Sequence, residues 1–304
     1  MNLEKTIAEN YESIETQKVT HLNKKQDKRT DDLFSLLKEL LPKQEKMSLP
    51  WQYKKENDIY LRTLNLIKEK EMNISPEYIT EFVFSLADLQ KEYFFFLKYC
   101  GQTISALINV HYRYTQYEEE YLIPTPHFKS DIDSIGYRLN GAKIRIEGNA
   151  GNDTGTDLKQ GNILITGNCL SAGMNMAGGT IEIKKNVEFA VGSGMGGGSI
   201  HVQGNINSIF GGIAAGMNGG IIFICGNGGK YACNSMKGGE VIIGGDLLDH
   251  CFERMYGGTV TVLGKCKNTI AKEMYGGTLN LTYVPKISKL KRDGEIYCQG
   301  KRIS

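Results

Sequence analysis

Little in this sequence points to chemistry. Its charge is nearly balanced, with 36 Lys and Arg against 34 Asp and Glu and a net +2. A nucleic-acid partner would call for a basic face or stripe, so none is expected. The basic residues that do gather, Lys286, Lys289, Lys291, Arg292, Lys301 and Arg302, read as a solvated end rather than an anion site. Long apolar runs are missing too. The most hydrophobic window, residues 82–110, is interrupted by Asp88, Lys91, Glu92 and Lys98, which a membrane span would not carry. Met1-Asn2-Leu3-Glu4-Lys5 has no apolar stretch behind it, so no signal peptide is expected and the chain is assigned to the cytoplasm.

The recognisable reaction signatures are lacking as well. Seven cysteines form no C-x-x-C pair, which removes zinc-ribbon and iron–sulfur spacings. Cys233 and Cys251 occupy similar phases of neighbouring repeats, but reduced core thiols are expected rather than a disulfide. His21, His111, His127, His201 and His250 show no metal-ligand spacing. Gly226-Asn227-Gly228-Gly229-Lys230 lacks the Ser or Thr and the helix of a phosphate loop, and no G-x-S-x-G occurs. The acids of the C-terminal half, among them Glu147, Asp153, Asp157, Glu182, Glu240, Asp246 and Asp249, are scattered over different repeat phases. They do not form the calcium-binding or acid–base cluster of a polysaccharide-cleaving protein. No cofactor and no metal are expected, and no catalytic residue is assigned.

What the chain does have is glycine, almost all of it after Gly141, and a repeat. Leu139, Leu158, Met176, Met195, Met217, Met236, Met255 and Met274 are spaced by 19, 18, 19, 22, 19, 19 and 19 residues. The fifth and seventh positions after each anchor are aliphatic, from Ile144 and Ile146 through Leu279 and Leu281. Residues two apart in a strand face one way, so these pairs and the anchors predict three inward columns of a solenoid. The glycines before each strand, such as Gly257-Gly258, predict a tight corner. Gly148-Asn149, Gly167-Asn168, Gly204-Asn205, Gly226-Asn227 and Gly245-Asp246 predict a second, with Asn and Asp tolerating the left-handed region and able to satisfy the turn's backbone groups. The extra residues of the 22-residue unit, around Gly211 to Gly216, read as a bulge.

The first half reads differently. Leu33, Leu36, Leu37, Leu40 and Leu41 follow a helical stripe, with Thr30 or Asp31 as N-cap and Pro42 as the stop. A second helix is predicted over 57–71, with Tyr60, Leu64 and Ile67 on one face. A third starts with Ser75 as cap and Pro76 at its first position. Gly101 is expected to break it before a fourth segment containing Ile104, Ile108 and Tyr112. Residues 1–29 are charge-rich and read as a frayed helix or flexible arm. Glu118-Glu119-Glu120 and Pro124-Thr125-Pro126 predict an extended linker. The expected organisation is a helical domain over 1–130, a solenoid of about eight coils over 131–284 and a hairpin-like cap over 285–304 turning at Arg292-Asp293-Gly294.

The run Gly192-Ser193-Gly194-Met195-Gly196-Gly197-Gly198-Ser199-Ile200-His201-Val202-Gln203-Gly204-Asn205 resembles the GXGXG repeat. That repeat occurs in the C subunit of formylmethanofuran dehydrogenase and in the C-terminal domain of the glutamate synthase large subunit. The resemblance covers 139 to about 284 and implies a single-stranded, right-handed parallel β-helix. In those relatives the domain is structural and packs against catalytic domains, so the resemblance supplies no catalytic residues. Here a helical half, outside the resemblance, stands where glutamate synthase carries its amidotransferase and synthase domains.

The position between the two core aliphatics should face outward. Down the rod it reads Arg145, Leu164, Glu182, His201, Phe223, Ile242, Thr261 and Asn280. Leu164, Phe223 and Ile242 predict an apolar patch wanting a cover, either the chain's own helices or another protein. Glu182 and His201 are stacked neighbours, read as a solvated pair or, alternatively, as an acid–base couple. The functional expectation is a non-catalytic scaffold that binds a protein partner or a second copy. Two alternatives stand beside it. One is an accessory subunit of a redox or one-carbon enzyme complex, on the resemblance. The other is a carbohydrate-binding or carbohydrate-active β-helix using Glu182 and His201.

Overall fold

A computed structural model describes residues 28–40, 59–89, 96–207 and 212–304. It divides into two compact units, residues 1–40 and 41–304. In the first, helix α1 (Lys28–Leu40) is amphipathic, with Leu33, Phe34 and Leu37 buried and Asp31 and Ser35 exposed. It begins two residues before the expected cap at Thr30. Of the arm expected over 1–29, Lys28 and Arg29 belong to α1, whereas residues 1–27 and the stop at Pro42 lie outside the described residues.

The second unit holds three further helices, α2 (Ile59–Glu69), α3 (Pro76–Leu89) and α4 (Phe96–Thr115), followed by a parallel β-solenoid over 120–298. Ser75 caps α3 as expected: its Oγ accepts the Tyr78 N–H at 3.2 Å. On α2 the buried stripe is Ile59, Tyr60, Thr63 and Ile67, with Leu64 half-buried. Thr63 enters the core because its hydroxyl is satisfied, by Ile59 O at 2.8 Å and by Thr103 of α4 at 3.4 Å. Among the described residues, no helix is long and apolar enough to cross a membrane.

Gly101 does not break a helix. It lies inside α4, where an added Cβ would sit 2.0 Å from the carbonyl oxygen of Asp133. Glycine is there to let the helix lie directly on the loop that opens the solenoid. Ser105, one turn on, accepts the N–H groups of Gly136 and Tyr137 at 2.9 and 3.1 Å. Asn109 accepts the Asn140 N–H at 3.1 Å and donates to Arg138 O at 3.2 Å. Helix α4 thus satisfies backbone groups that a preceding coil would otherwise take.

The solenoid is one long sheet in which each strand pairs in parallel with its neighbours in the stack. Its order is β1 (Glu120–Pro124), β2 (Asn140–Glu147), β3 (Gln160–Ile165), β4 (Thr180–Ile183), β5 (Ser199–Val202), β6 (Ile221–Ile224), β7 (Glu240–Ile243), β8 (Thr259–Val262), β10 (Thr278–Leu281) and β12 (Glu295–Cys298). The stack makes about nine turns instead of eight, because the ends expected to be linker and cap are themselves coils. Glu120–Pro124, read as linker, is the first rung and pairs in register with β2, Tyr121 opposite Ile144 and Ile123 opposite Ile146. Its free edge is covered by α3, where Thr80 donates to Leu122 O at 3.3 Å. At the other end β11 (Lys286–Ile287) pairs with β9 (Thr269–Ile270), and β12 continues the sheet. Arg292-Asp293-Gly294 is a coil corner, not a hairpin. The hairpin lies further on at Gln299-Gly300, where β13 (Lys301–Arg302) turns back antiparallel on β12.

The three inward columns are as expected. Both aliphatic positions of every strand from β2 to β8 are at most 1% exposed, and all eight Leu and Met anchors are fully buried. At the glycine pairs the two residues have separate jobs. A Cβ on Gly257 would lie 2.5 Å from Lys237 O of the coil below, whereas Gly258 holds φ +89°. Of the two expected roles at the second corner, the side chains fill one, the satisfaction of backbone groups, and not the left-handed conformation. Asn149, Asn168, Asn186, Asn205 and Asn227 are not among the positive-φ residues. Each instead accepts with its side-chain oxygen the backbone N–H of its counterpart one coil on, at 2.8 to 3.1 Å, and Asp246 continues the ladder to Lys265 N–H at 2.8 Å.

None of the seven cysteines is in a disulfide, Cys233 and Cys251 included. Burial raises both thiols, Cys251 to about 12.

Candidate interaction face

The long sheet has an outward face because its side chains alternate. Its central column runs Leu122, Arg145, Leu164, Glu182, His201, Phe223, Ile242, Thr261, Asn280 and Tyr297, each opposite the next in register. All five residues singled out from the sequence therefore stand on one face, in one line. They do not form one patch. Phe223 and Ile242 are register neighbours, but Leu164 is separated from them by the rungs of Glu182 and His201.

The apolar cluster is completed by residues that the single-column reading missed. Ile221, beside Phe223 on β6, is 48% exposed; Phe223 itself is 36% exposed, and Leu263, just after β8, is 53% exposed. Ile242 lies between them, half-buried. Ile221 occupies the outward position before the first core aliphatic, and Leu263 the one after the second. The same alternation that gave the central column places both of them outward.

Glu182 and His201 are adjacent but do not act on each other. The Glu182 carboxylate accepts from Lys184, two residues along its own strand, and from Gln203 Nε2 at 3.2 Å. The His201 ring turns the other way. Its centroid is 5.1 Å from that of Phe223, and its Nε2 lies 3.4 Å from Cys225 Sγ. An acid–base couple needs a hydrogen bond or a shared water between its members, and each residue is instead engaged with a different neighbour.

A second polar cluster lies where α4 meets the first rung. Tyr121 fills an inward core position, and its hydroxyl meets His111 Nδ1 at 2.6 Å. Burial raises the Tyr121 phenol above its ordinary range and lowers the His111 imidazole. The arrangement satisfies a buried phenol at the junction and leaves the imidazole to its packing against Tyr117 and Tyr121. Among the described residues, no three His, Cys, Asp or Glu side chains are grouped to hold a metal ion.

No protein family, no curated protein and no solved structure matches this chain.

Proposed function

We propose that this protein is a non-catalytic scaffold that holds a partner protein against the outward face of a right-handed β-helix. Parallel strands joined by crossovers are right-handed in nearly all known cases, which supports that hand here. The observation that carries the reading is the exposed cluster of Ile221, Phe223 and Leu263 around Ile242, in the middle of a sheet whose other outward positions are mostly polar. Exposed apolar side chains gathered on a rigid surface mark interaction sites, and a sheet locked by inward columns binds with little ordering cost. Seven cysteines that form no disulfide suit a reducing compartment such as the cytoplasm.

An accessory subunit of a redox or one-carbon enzyme would use the same face with a catalytic partner, so one experiment decides both. The tagged protein is purified gently from its native cells, its native mass is measured, and co-purifying chains are identified by mass spectrometry. Phe223→Asp with Ile242→Asp should release the partner, or split a homo-oligomer, while the chain stays folded. A wild-type chain that runs as a lone monomer under those conditions would overturn the scaffold reading. A carbohydrate-active reading is less well supported, since Glu182 is already engaged by Lys184 and Gln203.

A further inference from the structure

One cysteine differs from the rest. Cys100, Cys169, Cys233, Cys251 and Cys298 are buried and Cys266 is half-buried, whereas Cys225 is exposed. Burial also pushes the Cys169 and Cys266 thiols up to about 12, which keeps them protonated as well as enclosed. Cys225 follows β6 in the outward column that flanks Phe223, and His201 of the preceding rung reaches it diagonally, Nε2 to Sγ 3.4 Å. The imidazole is steadied by its contact with the Phe223 ring at 5.1 Å. On the following rung the residue after β7 is Gly244, whose N–H bonds to Ile224 O at 2.8 Å. No side chain stands there. The thiol therefore faces a notch, with an imidazole on one side, a glycine on the other and the exposed Leu263 one rung beyond.

We propose that Cys225 and His201 form a thiol-exchange site, at which Cys225 takes up a low-molecular-mass thiol from its disulfide. The Cys225 sulfur bonds to one sulfur of the incoming disulfide as the S–S bond of that disulfide breaks. The Cys225 proton passes to His201 Nε2, in the tautomer protonated at Nδ1, and from there to the departing sulfur. The Cys225 sulfur is oxidised and the departing sulfur reduced, so the products are a mixed disulfide on Cys225 and one equivalent of free thiol, and no other oxidant is needed. Leu263, Ile242 and Phe223 give the notch apolar walls suited to a disulfide with an apolar or aromatic substituent. A group attached there would stand beside Phe223 and obstruct the docking face. That consequence rests on the scaffold reading, whereas the thiol chemistry does not.

The test uses the isolated full chain and dithiobis-nitrobenzoate, which releases a coloured thiolate on exchange. Under native conditions one fast equivalent is expected, and peptide mass spectrometry should place it on Cys225. Cys225→Ser should abolish the fast phase. His201→Gln should slow it about ten-fold or more at neutral pH, since a positioned proton acceptor is lost. In denaturant, wild type and His201→Gln should react at one rate, which separates loss of the acceptor from loss of the thiol. A fast label on another cysteine, or equal native rates for wild type and His201→Gln, would overturn the proposal. Because the probe is small and no partner is present, failure here and failure of the scaffold reading are distinguishable.

Discussion

The terminal methyl of Met236 occupies the space that a side chain on Gly258 would need: an added Cβ would lie 2.6 Å from Met236 Cε. The same relation joins Met217 to Gly239 and Met255 to Gly277. The two most constant letters of the repeat are thus a contact between successive coils, in which an anchor of one coil seats the corner of the next. Gly258→Ala should cost about 2–4 kcal/mol, combining strain at φ +89° with overpacking. Gly216→Ala is the control. It has φ +64° but nothing within 4 Å of the added atom, so only the left-handed strain of about 1 kcal/mol should appear. Urea unfolding of both variants checks the difference; equal losses would mean that the methionine contact contributes nothing.

Gly101→Ala sets helix propensity against packing. In an exposed helix the change would stabilise by about 1 kcal/mol. Here the new methyl would collide with Asp133 O, so a loss of about 2 kcal/mol or more is expected. A rise in Tm would show that α4 does not lie as closely on the loop as described.

The asparagine ladder should be worth measuring rung by rung. Asn186 Oδ1 accepts the Asn205 N–H at 2.9 Å. Asn186→Ala leaves that donor without its partner and should cost about 1 kcal/mol. Asn186→Asp keeps the acceptor and should cost less at neutral pH. Chemical denaturation of the two variants ranks them; the reverse order would remove the ladder as a stabilising device.

Asp246 gives the ladder a pH dependence. The backbone N–H of Lys265 at 2.8 Å, helped by Lys267 at 3.4 Å, holds its carboxylate below the ordinary value of 3.8. A depressed folded value means stability that is full above 3.8 and lost as pH falls through the folded value. Asp246→Asn keeps the acceptor without the charge. It should therefore be less stable than wild type at neutral pH, with the difference shrinking in acid. Thermal melts of both proteins from neutral to strongly acid pH make the comparison, and a constant difference would contradict it.

The inward columns could be read from the sequence because period and alternation act together: every coil repeats the same pair of aliphatics, and each pair must face one way. The first rung was hidden because Glu120–Pro124 has neither an anchor nor a glycine pair before it, and Pro124 with Pro126 just beyond suggests a linker. It counts as a rung because Tyr121 and Ile123 stack on Ile144 and Ile146. The last coil was hidden for a related reason: Gly294 keeps φ +89° and contacts Met274 Cε, but Met is absent from the anchor position of its own coil, where Lys291 stands. The Cys225–His201 approach could not be seen at all. The two are 24 residues apart and meet only because the flanking column of one rung lies diagonal to the central column of the rung before. The corner motif shows that Asn and Asp can satisfy backbone groups, but not that each bond runs to the next coil instead of closing its own turn.

The 22-residue unit keeps its sheet register with both neighbours, Ser199 opposite Ile221 and Ile221 opposite Glu240. Bridges resume on each side of its surplus, at Val187 with Ile206 and at Val191 with Ile213. Contour length and alignment are therefore independent variables in this solenoid. A coil can be lengthened between Ile206 and Ile213 while its outward sheet face stays in place, which makes that stretch a graft point for an epitope or a whole folded insert.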